Sequence, residues 1–452
     1  MAETITSFLS RFMDRVEARN PGQTEFLQAV REVAESVAPL VMDNQDYRDA
    51  RILDRLAEPD RALSFRVTWL DDQGAVQVNR GWRVQFNHVL GPYKGGLRFH
   101  PSVSESILKF LGFEQTLKNS LTGLPMGGAK GGSDFDPKGR SDAEIMRFCQ
   151  SLMTELYRYV GMDTDIPAGD IGVGDREIGY LFGQFTRLTN SFEGVLTGKG
   201  QSFGGSAVRE EATGYGAVYF LRNMLEQEDR DLDGLRVAIS GAGNVALFAA
   251  DKAVVEGARV VSVSDSGGVL ACEDGFSCDQ ITEIQEYKLR KRGRLADLDM
   301  TGTRYIKGAN PWGLECDVAM PCATQNELNG DAAKELVKSG VMAVVEGANM
   351  PTTAEAIEIL RDADVLFAPG KAANAGGVAV SAFERSQNVT GISWSREEVD
   401  CQLRKTMADI HRTCVDHAAL SRRPGSHIDY LDGANIGGFV KVADAMLAHG
   451  LT

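Results

Sequence analysis

The stretch "LRVAISGAGNVALFAADKAVVEGARVVSVSDSGG", residues 235–268, decides the fold. An apolar run, RVAIS, breaks at glycine and gives way to residues of helical periodicity. A second β-branched run then closes on Asp265. Strand, tight turn, helix and strand in that order predict one βαβ unit. The turn reads Gly241-x-Gly243-x-x-Ala246, which on its own is an ordinary glycine turn as readily as a dinucleotide signature. Placed between a strand and a helix it favours the signature. Gly241 makes the turn, and Gly243 lets a pyrophosphate approach the helix N-terminus.

Further apolar runs, CDVAMPCA, MAVVEGAN and DVLFAPG, alternate with helical segments, so the sheet is expected to be parallel and doubly wound. A chain of 452 residues exceeds one ordinary core. The texture changes near residue 202. The reading is therefore α/β in two domains: a Rossmann-like cofactor domain over 203–426 and an α/β substrate-binding and oligomerisation domain over 1–202, with a cleft between them. The stretch from about 375 is expected to be largely helical and to pack back on the first domain, with 427–452 as the tail that does so. That first domain opens with a helix whose apolar residues Ile5, Phe8, Leu9, Phe12, Met13 and Val16 share a stripe. A strand meander follows, ALSFRVTWL and AVQVNRGWRVQFN about the turn DDQG. Then come a Gly-rich loop GPYKGGLRFHPS, helices over about 102–120 and 141–160, and a loop starting at DTDIPAGDIGVG.

Net charge is −15, which opposes nucleic acid or an anionic membrane as partner. No apolar run reaches bilayer length, and the early Glu3 argues against a signal peptide. Seven scattered cysteines without a CxxC pair suit a reduced cytoplasm, and six unpaired histidines argue against a zinc site. A cytoplasmic, metal-free protein is expected.

Two features point to the substrate. The stretch LPMGGAKGGSDFDP, 124–137, sets Lys130 between two glycine pairs, as if on bare backbone that a ligand can approach. Over residues 91–132 the cations Lys94, Arg98, Lys109, Lys118 and Lys130 outnumber Glu105 and Glu114, a local positive patch on an acidic chain. Such a patch suits a small anion. Gln115 and Lys118 end a stripe begun by Leu108 and Leu111 on the 102–120 helix. They read either as a snorkelling surface end or as a binding pair. Desolvation in a closed pocket lowers a lysine's pKa, fitting Lys130 for proton transfer near neutrality. Asp170, on PAGDIGVG, is its candidate partner; its bland role is to cap the helix near Arg176 or to sit in a turn. For the cofactor, Asp265 suits the ribose 2′-hydroxyl of NAD. Ser266 and the cations of KLRKRGR, Lys288 to Arg294, suit the 2′-phosphate of NADP unless they are a solvated helix end. The balance favours NADP.

Taken in order, GPYKGGLRFHPSV, LPMGGAKGGSDFDPKG, DIPAGDIGVGDREIG, TGKG, EATGYG, GAGNVA, CATQNEL, EGANMPTT and APGKAANAGGVAVS span nearly the whole chain. Together they resemble the small hexameric NADP-dependent glutamate dehydrogenases of the amino-acid dehydrogenase superfamily. The resemblance implies reversible reductive amination of 2-oxoglutarate with ammonium and NADPH to L-glutamate, in a homohexamer. It implies Lys94 and Ser381 at the side-chain carboxylate, Gln115 and Lys118 at the α-carboxylate, and Lys130 and Asp170 as the catalytic pair. Arg209, Thr213, Asn244, Asn349 and Asn374 would lie about the nicotinamide half, and Lys288 and Arg294 near the 2′-phosphate. One departure is Glu210, where such proteins commonly carry Pro; little catalytic effect is expected. Rival readings are a leucine, valine or phenylalanine enzyme, for which a cation at 94 is a liability, and a non-catalytic binding protein, which has no need of Lys130 and Asp170.

Overall fold

The computed structural model describes residues 4–421 and 427–451. Glu3 and residues 422–426, beside the expected edge at 426/427, lie outside them. Two compact units form: Met1–Arg209 with Val380–Val399 and Asn435–Thr452, and Glu210–Ala379 with Asp400–Ala434. The division falls between Arg209 and Glu210 rather than at 202/203. The chain also returns to the first unit in two segments, Val380–Val399 and Asn435–Thr452, rather than in one run from about 375 or from 427. Hydrogen bonds explain both differences. Asn388 donates to the Gly204 carbonyl at 2.7 Å and Gln387 to Ser206 Oγ at 2.9 Å, tying 203–209 to the first unit.

The first unit is built on five strands: β1 (Arg61–Leu70), β2 (Val76–Asn87), β3 (Tyr93–Phe99), β4 (Gly128–Ser133) and β5 (Asp165–Gly169), ordered β1-β2-β4-β3-β5. The hairpin β1–β2 is antiparallel, and its alternation turns Val67 and Trp69 inward. β2 runs antiparallel to β4, while β4 and β5 run parallel to β3. Trp69 packs on Phe135 at 5.4 Å, and Phe135 stacks on Phe148 at 3.8 Å. Phe148 comes from the helix Asp142–Leu156, whose Ser141 and Glu144 form a capping box. The C-terminal helix Tyr430–His449 lies against this unit along its later turns: Ser120 Oγ donates to the Gly438 carbonyl at 2.8 Å and the Tyr47 hydroxyl to Asp444 at 2.6 Å.

Two stretches expected as loop hold strands, β3 in GPYKGGLRFHPS and β5 at the start of DTDIPAGDIGVG, and the stretch about Lys130, expected as bare backbone, is strand β4. Their glycines serve close packing. A Cβ on Gly95 would stand 1.6 Å from the Ala129 carbonyl oxygen, and one on Gly128 2.0 Å from Thr116 Oγ1. Lys130 is consequently buried in mid-strand instead of bare.

In the second unit seven strands follow: β6 (Arg236–Ile239), β7 (Arg259–Asp265), β8 (Gly268–Ala271), β9 (Arg304–Lys307), β10 (Val318–Met320), β11 (Ala343–Val345) and β12 (Leu366–Ala368). Their order is β12-β11-β10-β6-β7-β8-β9. The first five of that order are parallel, as the βαβ reading requires, but β8 and β9 extend the sheet antiparallel. The tight Asp265–Gly268 turn permits only a hairpin, which corrects the fully parallel expectation. Strand order reverses between β6 and β10, the place where doubly wound sheets take a ligand.

Candidate functional site

Lys94 on β3 is 3% exposed. Its Nζ donates to Thr197 Oγ1 at 2.7 Å, and among the described residues no carboxylate pairs with it. Burial, and then the nearby Arg209 guanidinium, push its pKa well down; Glu384 acts the other way. Arg209, expected on the cofactor side, is thus the last residue of the first unit and electrostatically a neighbour of Lys94.

Two residues on, Gly96 shares the strand face of Lys94. A Cβ there would meet Asp170 Cβ at 2.9 Å and Lys130 Nζ at 3.3 Å, so only glycine leaves them room. Across this gap Lys130 Nζ lies 2.6 Å from Asp170 Oδ2, and Arg98 Nε lies 3.4 Å from the same oxygen. Lys130 thus forms a close salt bridge with Asp170, and Arg98 stands by as a second, more distant cation. Burial alone raises the Asp170 pKa, but Lys130 and Arg98 outweigh it and hold the carboxyl at about 2. Lys130 is lowered by burial, aided by Arg98 and Arg83, against the pull of Asp170. Asp170 is no helix cap: the helix Asp175–Thr189 starts at Gly174 with Glu177 closing its capping box.

Gln115 and Lys118 lie half-buried on the helix Glu105–Leu121, which covers β4. Gln115 donates to Asn119 Oδ1 at 2.7 Å, and Asn119 donates to the carbonyls of Lys94 at 3.0 Å and Gly127. Ser381, 3% exposed, sits on the helix Gly376–Thr390. Lys109, counted in the positive patch, lies apart from these groups, bonded to Asn20 and 4.6 Å over the Phe26 ring.

The sequence reading missed the support beneath. Arg83 and Asp165 are wholly buried; Arg83 Nε donates to Asp165 Oδ2 at 2.9 Å and Nη1 to the Gly95 carbonyl at 3.1 Å. They are far apart in sequence, and only the β2-β4-β3-β5 order brings them together. Thr197 stands in the short motif TGKG, where a bare hydroxyl carries no signal of its own.

In the second unit, Gly241 (φ +89) makes the left-handed turn after β6, its Cβ position 3.1 Å from the Cys322 carbonyl after β10. A Cβ on Gly243 would meet nothing within 4 Å. Asn244, expected about the nicotinamide half, instead begins the helix Asn244–Val255, whose Gly243 cap offers no side chain, leaving its first N–H groups open to an anion such as a pyrophosphate. At the end of β7, Asp265 Oδ2 accepts from Lys288 Nζ and Leu295 N–H, each at 3.0 Å, and Oδ1 accepts from Gly267 N–H at 3.0 Å. Burial raises the Asp265 pKa, but these donors outweigh it and lower it. Arg294 Nη1 donates to Ser266 Oγ at 2.7 Å. Of the KLRKRGR cations, Lys288 and Arg294 fold back to β7, while Arg290 pairs with Glu286 at the surface. Thr213 lies in the first turn of the helix Ala212–Glu226, just past Glu210. Asn374 Nδ2 donates to Asn349 Oδ1 at 3.0 Å. The open helix end, the glycine cradle and the cations beyond β7 fit a dinucleotide.

Residues 204–450 match the Glutamate/Leucine/Phenylalanine/Valine dehydrogenase family, and residues 59–187 match the Glu/Leu/Phe/Val dehydrogenase dimerisation domain. The chain belongs to this family. An NADP-specific glutamate dehydrogenase of Salmonella typhimurium is 57% identical over 447 residues, covering 99% of both chains. An NAD-specific glutamate dehydrogenase of Bacteroides fragilis is 51% identical over 98% of this chain and 99% of that one. The crystal structure of Plasmodium falciparum glutamate dehydrogenase, 48% identical, superposes with a TM-score of 0.97, covering 99% and 96%. Among the described residues no helix is long and apolar enough to cross a membrane.

Proposed function

We propose that the chain catalyses the reversible reductive amination of 2-oxoglutarate with ammonium, NADPH and a proton from solvent, yielding L-glutamate, NADP⁺ and water. The observation that carries it is Lys94: a buried ammonium with a neutral hydroxyl for a partner calls for an anion from the substrate. A leucine, valine or phenylalanine side chain offers none, whereas the distal carboxylate of glutamate does.

In this reading Lys94 and Ser381 bind the distal carboxylate, with Arg209 adding positive potential. Gln115 and Lys118 hold the α-carboxylate. Lys130 donates a hydrogen bond to the oxo oxygen and polarises the carbonyl; its lowered pKa eases release of that proton to the departing water of the carbinolamine. Asp170 takes a proton from the incoming ammonium and returns one to the product amine, its carboxylate kept ionised by Lys130 and Arg98. NADPH, when bound, supplies the hydride that reduces the imine carbon. Gly241, Gly243 and Asn244 would receive its pyrophosphate end, Ser266, Lys288 and Arg294 its 2′-phosphate, and Thr213, Asn349 and Asn374 its nicotinamide half. Because Asp265 already accepts three donors, it has little capacity left for a ribose hydroxyl, which favours NADP over NAD. A cytoplasmic homohexamer is proposed on the resemblance and the matched dimerisation domain.

The test is NADPH and NADH oxidation followed in parallel with 2-oxoglutarate and ammonium. Rapid oxidation of NADPH is expected. Preference for NADH would return Asp265 to the ribose, and activity only with apolar oxo acids would overturn the role of Lys94.

A further inference from the structure

Residues 196–199 and the helix Gly376–Thr390 meet in a clasp that the roles above leave unused. Glu384 is fully buried and Lys199 5% exposed. Glu384 Oε2 accepts from the Gly198 N–H at 2.9 Å; Oε1 accepts from the Lys199 N–H at 3.3 Å and from Lys199 Nζ at 2.8 Å. Lys199 Nζ also donates to the Leu196 carbonyl and lies 5.6 Å from the Phe182 ring centre. Within this clasp sits Thr197, whose N–H donates to the Pro167 carbonyl at 3.0 Å and whose Oγ1 receives Lys94 Nζ at 2.7 Å. The hydroxyl that orients Lys94 is therefore fixed by β5 on one side and by Glu384 on the other.

We propose that Glu384 is a positioning residue for substrate specificity: through Lys199 and the N–H groups of 198 and 199 it holds Thr197 against Lys94, and so aims that ammonium at the distal carboxylate. The proposal rests on the reading that Lys94 takes that carboxylate. A buried ion pair is a poor device for stability alone, since an apolar pair of similar volume usually serves as well or better. Its placement gives this one a use. Ser381 and Glu384 are three residues apart on one helix face, so one helix supplies both a hydroxyl for the substrate and the anchor of the opposing loop. Glu384 also counters the burial and the Arg209 charge that lower the Lys94 pKa, favouring the ammonium form.

The experiment compares the full-length enzyme with Glu384→Gln and with Glu384→Gln combined with Lys199→Met. The double variant removes both charges of the Glu384–Lys199 pair together, and carries the test if the single one fails to fold. The readout is kcat/KM for 2-oxoglutarate divided by that for 2-oxovalerate, which has the same chain length and no distal carboxylate, together with KM for NADPH. Losing a charge-assisted clasp predicts a fall of about tenfold in that ratio, through KM for 2-oxoglutarate, with KM for NADPH unchanged. An unchanged ratio in the folded double variant overturns the proposal. Lys94→Met, run alongside, separates the two failures. If it collapses the ratio while the clasp variants do not, only the assignment to Glu384 is wrong. If it too leaves the ratio unchanged, the reading of Lys94 falls with it.

Discussion

Two groups of cations invite comparison: Lys94 and Lys130 in the first unit, and Lys288 and Arg294 in the second. The first pair sits on central strands β3 and β4, at 3% and 6% exposure. The second lies beyond the end of β7, where Arg294 is exposed and Lys288 half-buried. Burial decides how much each can matter. A charge removed from water interacts strongly with whatever reaches it and is costly when left alone, while a surface charge is softened by solvent and salt. Strong substrate discrimination should therefore come from the first group, and a gentler preference between cofactors from the second.

Lys130→Ala tests the extreme of that scale. It removes the group proposed to polarise the oxo carbon, and kcat should fall by about 10²–10⁴ while the NADPH dissociation constant, read by fluorescence titration, stays put. Surviving turnover would move Lys130 out of the chemistry. Lys94→Leu should come next. Leaving the distal carboxylate unpaired costs about 3–5 kcal/mol, or some 10²–10⁴ in kcat/KM for 2-oxoglutarate, and apolar oxo acids should gain relatively. Equal kinetics for the variant would remove the distinction between buried and exposed cations.

Acid stability probes the same buried site without substrate. The Asp170 pKa is depressed to about 2 from an ordinary value of 3.8. Between those values the unfolded chain binds more protons than the folded one. The Lys130–Asp170 contribution is thus whole above pH about 4 and drains away as pH falls toward 2, by at most about 1.4 kcal/mol per pH unit. Urea midpoints measured at pH 4, 3 and 2.5 should fall more steeply for the wild type than for Asp170→Asn. Parallel lines would mean that the pair does not survive in solution.

The comparison also shows what the sequence could and could not convey. The βαβ unit and its glycine turn were legible because they depend on local pattern, and Lys94, Lys130 and Asp170 were singled out by residue type in a motif; the fold sets Lys130 Nζ 2.6 Å from Asp170 Oδ2, while their proposed roles await the variants above. The strands β3 and β4 were not. Glycine is a poor strand former, and the reason for Gly95 and Gly128 is backbone and side chain arriving from elsewhere, Ala129 beneath one and Thr116 beneath the other. Counting charge along the chain likewise enrolled Lys109, which the fold sends to Asn20. It could not find Arg83 and Asp165, which only strand order brings together. The antiparallel β8 and β9 escaped for a related reason: they pair through a tight turn and a distant segment, and both are short.

Arg294→Ala is the mildest probe and the one that sharpens the comparison most. Arg294 Nη1 holds Ser266 Oγ at 2.7 Å from an exposed position, and Lys288 remains bound to Asp265 when it is lost. Removing one charge-assisted contact to a phosphate should raise KM for NADPH about tenfold, the low end for a bond to a charged group. KM for NADH should barely move, because Lys288, Leu295 and Gly267 still occupy Asp265 and no ribose acceptor is released. The NADPH effect should also shrink as salt is raised from about 0.01 M to 0.15 M and the Debye length contracts from roughly 30 Å to 8 Å. A buried site has no such sensitivity, so a salt series on Lys94→Leu should be flat beside it. If Arg294→Ala leaves NADPH untouched at low salt, the KLRKRGR cations are a solvated surface and selectivity for the phosphate must come from Lys288 or the helix end at Asn244.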